Sequence, residues 1–236
     1  MIRNAFCDES LYTAVACRRH MGAEQTETAL CLTKEQILLL EADGRPLQRF
    51  ICSPAQLTEL CVGWLCAEGY IRSANEVEQL HIPADGSSAS VVLSAARPRE
   101  IEPFAARESV DQELCRRAAA ILLESDSVHS KTRGTHGCVY LSGDGTELFC
   151  EDIGRNNAMD KVIGSALLQG CDLRRGMLFS SGRVTADIVR KAVRAGIPVL
   201  VSKAAVTVDA LAAAAQYRLR LAFFADGKCH ILSDGI

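Results

Sequence analysis

Aromatic residues are scarce in this sequence. Tryptophan, tyrosine and phenylalanine supply 5% of 236 residues, although 48% of the chain is hydrophobic. That balance, with its many alanines, favours helices packed on a parallel sheet over an aromatic-rich β-sandwich. No apolar run reaches the roughly 18 residues of a membrane-spanning helix. No run of lysine and arginine is present and the formal charge is −3, so there is no footprint for a nucleic-acid backbone. Met1 to Ser10 holds Asp8 and Glu9 and no apolar core segment, unlike a secretory signal. The expectation is a cytoplasmic protein with neither nucleic-acid nor membrane partners.

Cysteine is plentiful, but never as C-x-x-C. The eleven stand at 7, 17, 31, 52, 61, 66, 115, 138, 150, 171 and 229. This spacing gives no zinc ribbon or dithiol redox pair, and no metal site is expected. An odd count without an export signal also argues against a disulfide framework. Most of these thiols are expected to be reduced and to pack as small hydrophobes.

The stretch Glu151-Asp152-Ile153-Gly154-Arg155-Asn156-Asn157 leads into a helical pattern in which Met159, Val162, Ile163, Ala166 and Leu167 share one face. Gly170 closes that helix. Before it, Val139–Leu141 and Glu147–Cys150 flank Ser142–Thr146 as a hairpin. A polar loop thus joins a strand end to a helix start, where α/β sheets bind ligands. A simpler role for Asp152 and Asn157 is to cap the helix.

Around this anchor the chain divides into a smaller α+β lobe over 1–94, a charged join over 95–112 with Pro98 and Pro103, and an α/β lobe over 113–236. Residues 1–26 read as irregular. Thr28–Leu32, Gln36–Leu40 and Val91–Leu93 read as strands. Ser53 as N-cap and Pro54 at N1 open a helix that buries Leu57, Leu60, Cys61, Trp64 and Leu65 and ends at Gly69, before a further extended piece. In the second lobe, a helix over Asp111–Glu124 turns Leu114, Ala118, Ile121 and Leu122 inward. Met177–Phe179 and Ile197–Val201 are buried strands of a parallel sheet, alternating with helices over Thr185–Ala195 and Val208–Gln216. Arg218–Phe224 and His230–Leu232 complete it as strands. Three strand-to-helix turns, Glu151–Asn157, Ser180–Arg183 and Ser202–Thr207, then fall on one sheet edge. Each offers backbone N–H groups at a helix start, and Arg183 and Lys203 add cations, a combination suited to phosphate or pyrophosphate. Taken singly, each is better read as a solvated cation.

Glu151 to Gly164 resembles the EDVGRHNALDKVIG signature of the FdhD/NarQ family, the formate dehydrogenase accessory sulfurtransferases. Thr132-Arg133-Gly134-Thr135-His136 is similar to that family's TGGxH, Ser181-Gly182-Arg183-Val184-Thr185 to its SGRxS, and Ala195 to Leu200 to its AGIPVL. Pro54 to Ile71 is similar to its TP…LALGFLxTEGII segment. The resemblance implies a cytidine deaminase-like three-layer α/β/α second lobe in a homodimer. The implied cargo is molybdenum bis(molybdopterin guanine dinucleotide), carried rather than used in catalysis, with a cysteine desulfurase as sulfur donor and a formate dehydrogenase-type apoenzyme as recipient. The implied cofactor-binding set is His136, Asp152, Arg155, Asn157, Ser181, Gly182, Arg183, Lys203 and the run Phe224, Ala225, Asp226, Gly227, Lys228 and Cys229. The H-x-E and P-C-x-x-C zinc pattern of deaminases is absent.

Four departures from the family pattern stand out. The family's persulfide loop C-G-x-C-G falls between the lobes, yet 95–112 has no cysteine. Asn156 replaces the signature histidine, Arg133 replaces a glycine, and Asp226 stands where the family's Phe-x-Arg puts an arginine. Cys138, two residues after His136, is the candidate replacement sulfur carrier, with Cys150 behind it; shared packing on one strand face explains the Cys138–His136 pair equally well. The function expected is a sulfur carrier that binds the dinucleotide cofactor and matures a molybdenum or tungsten enzyme. A cofactor-binding chaperone without sulfurtransferase activity is the alternative, and an enzyme acting on a small nucleotide is a third.

Overall fold

The structure is a computed structural model and describes residues 9–22, 24–94 and 100–232. The chain starts with a long hairpin, β1 (Tyr12–Met21) and β2 (Glu24–Thr33), paired from Tyr12↔Thr33 to Met21↔Glu24. The irregular reading of 1–26 is therefore corrected for residues 12–21 and 24–26, while residues 1–8 and 23 lie outside the described residues. Most of β1 is exposed on both faces, so it carries no inside–outside alternation for a sequence reading to find.

β3 (Gln36–Ala42) and β4 (Arg45–Cys52) form a second hairpin, and β5 (Val77–His81) and β6 (Ser88–Leu93) extend it to a sheet ordered β4-β3-β6-β5. Leu38 and Leu40 point into the core while Ile37 and Leu39 stay exposed, the two-residue period of a one-sided sheet. Helix α1 (Leu57–Ala67) covers the buried side. It starts later than the sequence suggested: Gln56 occupies the N-cap in a left-handed conformation, and no side chain caps the helix. Ser53 is engaged elsewhere. Its N–H donates to Asp152 Oδ2 at 3.0 Å, and its Oγ accepts from the Ile153 N–H at 3.2 Å. The exit matches expectation, with Gly69 N–H bonded to Cys66 O and Tyr70 N–H to Leu65 O in a Schellman closure. A Ser73-capped turn at Ala74–Glu76 follows and leads into β5, the expected extended piece.

The second lobe runs α2 (Gln112–Glu124), α3 (Val128–Thr132), β7 (His136–Ser142), β8 (Glu147–Asp152), α4 (Arg155–Leu168), β9 (Gly176–Ser180), α5 (Ala186–Arg194), β10 (Val199–Ser202), α6 (Val208–Tyr217), β11 (Arg220–Ala225) and β12 (Lys228–Ile231). Its sheet is ordered β12-β11-β10-β9-β7-β8. β9, β10 and β11 are parallel, but β7 and β12 run against their neighbours. The parallel sheet expected from sequence is confined to β9, β10 and β11. The expected hairpin of β7 and β8 is antiparallel, as are β11 and β12, whose short turns allow only that pairing, and β7 also pairs antiparallel with β9.

Three layers result. Tyr140, Leu178, Leu200 and Leu221 on one sheet face pack with Met159, Ile163, Ile188 and Ala213 from α4, α5 and α6. Val139, Leu141, Phe179 and Val201 on the other face pack with Cys115, Ala118 and Ile121 of α2. The first layer continues without a break into the first lobe, where Leu60, Leu65 and Trp64 belong to the same cluster. The lobes meet where α1 crosses α4. A Cβ on Gly63 would lie 1.6 Å from the Asp160 carbonyl oxygen, and one on Gly164 1.9 Å from that of Glu59, so only glycine allows this backbone-to-backbone crossing. Among the described residues, no helix is long and apolar enough to cross a membrane.

Candidate functional site

The strand register sets the site. Asp152 of β8 is level with His136 of β7, and Cys138 is level with Ser180 of β9. Ser180 in turn is level with Ser202 of β10, and Ser202 with Phe223 of β11. The ends of β8, β9, β10 and β11 and the start of β7 therefore share one edge. Hydrogen bonds tie the turns together there. Gly137 N–H donates to Ser181 Oγ at 2.9 Å, Ser181 N–H to Gly137 O at 2.9 Å and Lys203 N–H to Ser180 O at 2.9 Å.

A cavity of about 420 Å³ opens at this edge, lined by His129, Arg133, Gly134, Thr135, His136, Ser181 and Lys203. Arg155, the first residue of α4, packs its side chain on the turn after β9: a Cβ on Gly182 would come within 2.7 Å of Arg155 Cβ. Arg155 Nε and Asn156 Oδ1 are buried without a hydrogen-bond partner among the described residues. Burial lowers the pKa of His136, and the nearby charges of Arg155, His129 and Arg183 lower it further. The imidazole is therefore held neutral by a cationic surround. Among the described residues no carboxylate pairs with Arg133, Arg155, Arg183 or Lys203. Four unpaired cations in a chain of net charge −3 mark an anion site.

A larger cavity, about 580 Å³, lies away from this edge between segment 100–105 and the ends of α4 and α5. Its lining balances Arg72, Arg174 and Arg194 against Glu100, Glu102 and Asp172, and two of these cations are paired, Arg174 at 3.0 Å from Asp172 and Arg194 at 3.2 Å from Glu68. Unmatched charge, rather than volume, identifies the 420 Å³ cavity as the candidate site.

Not every expected residue faces it. Asp152 is fully buried. Its Oδ1 accepts from Gly154 N–H and Asn157 Nδ2, both at 2.9 Å, and its Oδ2 from Ser53 N–H at 3.0 Å and Lys161 Nζ at 2.6 Å. Asn157 Nδ2 also donates to Ile51 O at 2.8 Å. These two residues join the lobes under the turn. At the hairpin of β11 and β12, Phe224 packs edge-on against Phe179, with ring centroids 5.3 Å apart. Ala225 is half-buried, and Asp226, Gly227 and Lys228 form the exposed turn at the same edge. Cys229 is buried, its backbone held from both sides by Gln112.

Cys138 is sealed in the core at 1% exposure. Burial, and then the neighbouring Cys150, push its thiol far above the ordinary range. Cys150 is likewise buried and pushed up to about 12. Neither position favours the thiolate that sulfur transfer needs. The described cysteines with partial solvent access are Cys17, Cys31 and Cys171.

The sequence reading missed His129 and the tether that holds it. Glu151 Oε1 accepts from His129 N–H at 3.0 Å and Thr135 Oγ1 at 2.9 Å, and its Oε2 from Val128 N–H at 2.9 Å. The only available signal was an acid in a strand that is otherwise buried, which requires a partner.

The model of the FdhD/NarQ family matches residues 33–107 and 95–234. The sulfur carrier protein FdhD of Methanothermobacter thermautotrophicus is 32% identical over 207 residues, covering 80% of this chain and 83% of its own. That of Shouchella clausii is 26% identical over 236 residues, covering 86% and 88%. The crystal structure of a proposed formate dehydrogenase accessory protein from Desulfotalea psychrophila shares the fold, with a TM-score of 0.84 over 95% of this chain and 98% of that one, at 23% identity.

Proposed function

Since the chain belongs to the FdhD/NarQ family, we propose that it is an accessory factor that holds the anionic dinucleotide end of a molybdopterin guanine dinucleotide cofactor during maturation of a formate dehydrogenase-type apoenzyme. The observation that carries this reading is the set of unpaired cations at one sheet edge: Arg133 and Lys203 line the cavity of about 420 Å³, and Arg155 and Arg183 stand close enough to His136 on its wall for their charges to act on that ring. That volume suits a nucleotide-sized group, so the cavity takes one end of the cargo. Ser181 adds a neutral donor on the cavity wall. In the test, the purified chain is extracted and its nucleotides are identified by mass spectrometry. A guanine nucleotide is expected with the natural chain and is lost with Arg155→Ala/Arg183→Ala/Lys203→Ala. Retention by the triple variant, with its fold intact, overturns the reading.

A second reading adds a sulfur-carrying step. The relatives are named sulfur carriers, and Cys17, Cys31 and Cys171 are reachable thiols. In that step the chain's thiolate attacks the outer sulfur of a desulfurase persulfide and releases the desulfurase cysteine. Incubation with a cysteine desulfurase and cysteine, followed by mass spectrometry, separates the readings. A persulfide on one of these thiols supports the second; its absence from every thiol leaves a chaperone of the cofactor.

A further inference from the structure

The cavity wall between α3 and β7 bears His129, which has no role so far, and Arg133, counted above only as one of the unpaired cations. Arg133 adopts φ 57, a left-handed conformation in which a side chain is disfavoured and glycine is the unstrained choice. No carboxylate or carbonyl among the described residues engages its guanidinium. The backbone at this position is thus better served by glycine, and only the side chain's place in the cavity favours arginine. His129 stands one helical turn earlier. Its Nδ1 lies 2.6 Å from the Thr135 carbonyl oxygen. A carbonyl oxygen only accepts, so Nδ1 carries a hydrogen; Nε2 is the ring's unengaged nitrogen, and it donates to an anion in the imidazolium form, where it too carries a hydrogen.

This wall is held in place. Glu151 binds the backbone of Val128 and His129 and the hydroxyl of Thr135, so both ends of the segment are anchored to β8. Elsewhere on the same cavity lie Ser181 and Lys203. Two separate groups of donors, on separate elements, thus border one space.

We propose that His129 and Arg133 form a second anion subsite that holds one phosphate of a nucleoside diphosphate group while Ser181 and Lys203 hold the other. The inference rests on the proposed function, since it assigns the two halves of the anionic bridge to two walls of that cavity. Two subsites make recognition depend on the number of phosphates, and the second phosphate separates a dinucleotide bridge from a monophosphate.

Calorimetric titration of the full chain with guanosine diphosphate and guanosine monophosphate tests this. Arg133→Gly is expected to weaken diphosphate binding by about tenfold or more, as loss of a charge-assisted contact to phosphate does. Monophosphate binding should change less than about twofold, the monophosphate keeping the Ser181–Lys203 wall. The melting temperature should stay level or rise, because glycine relieves the left-handed backbone. Arg133→Gln, which keeps the backbone conformation and removes the charge, and His129→Ala should show the same selective loss. Diphosphate affinity unchanged in Arg133→Gly and His129→Ala, or an equal loss for both nucleotides, overturns the inference alone. Absence of diphosphate binding by the natural chain overturns the reading of the cavity together with it.

Discussion

At the scale of the residue, His136 reports the field of the site. It is a neutral imidazole held below its ordinary value by burial and by the charges of Arg155, His129 and Arg183. The unfolded chain thus takes up a proton near pH 6.5 that the folded one resists, so this group's share of stability is present above that pH and is lost as pH falls below it and through the lower value of the folded chain. A bound anion reverses the field and raises the imidazole's pKa. Affinity for guanosine diphosphate is therefore expected to rise a few-fold from pH 8 to pH 6, with proton uptake visible by calorimetry in buffers of different ionisation enthalpy. His136→Gln should flatten the dependence. A constant or falling affinity in the natural chain contradicts this account. Residue types at the site were legible in part. Arg183, Lys203 and Ser181 could be placed from their turns, because a strand end followed by a helix start fixes the edge on which they lie. Asp152 and Asn157 could not, since their partners Ser53 and Ile51 lie about a hundred positions earlier and leave no local pattern.

At the scale of the element, the helices were largely legible and the strand order was not. Met159, Val162 and Ile163 mark the buried face of α4 by spacing alone, and Asp111 marks the start of α2, where its Oδ1 accepts from Glu113 and Leu114 N–H. The antiparallel insertion of β7 between β8 and β9 arises from long-range pairing, which periodicity does not encode. The β1–β2 hairpin was hidden because neither face of β1 is regularly buried. The α1–α4 crossing gives a sharp expectation. In an exposed helix, Gly164→Ala would gain about 1 kcal/mol of helix propensity. Here the new methyl meets the Glu59 carbonyl oxygen at 1.9 Å, a backbone atom that no rotamer change can move aside. Overpacking of this kind costs about 1–3 kcal/mol or more, so the net effect is loss. Urea denaturation followed by circular dichroism should show a lower midpoint; a gain would mean that the helices can separate cheaply.

At the scale of the whole molecule, two lobes that sequence divides at 95–112 share one hydrophobic cluster. Ion pairs reinforce it. Lys161 and Asp152, both fully buried, meet at 2.6 Å. Lys191 of α5 meets Asp160 at 2.8 Å and approaches Glu68, just past α1, at 3.6 Å. Burial pushes the Asp160 carboxyl up to about 6 against the pull of Lys191. Removing one member of a buried pair leaves the other uncompensated, at a cost of about 3–5 kcal/mol. Asp152→Asn is expected to lower stability by that order, while the natural chain melts in one calorimetric transition. Two separated transitions in the natural chain would show that the lobes hold independently. The clasp from Ser53 to Asp152 also bears on inheritance. Because the floor beneath the cationic edge is assembled from both halves of the chain, a hybrid that takes its first lobe from one relative and its second from another must bring an aspartate that reaches the backbone N–H of residue 53 and, at 53, a hydroxyl that accepts from the Ile153 N–H. The two halves are therefore bound to change together rather than be traded as separate parts.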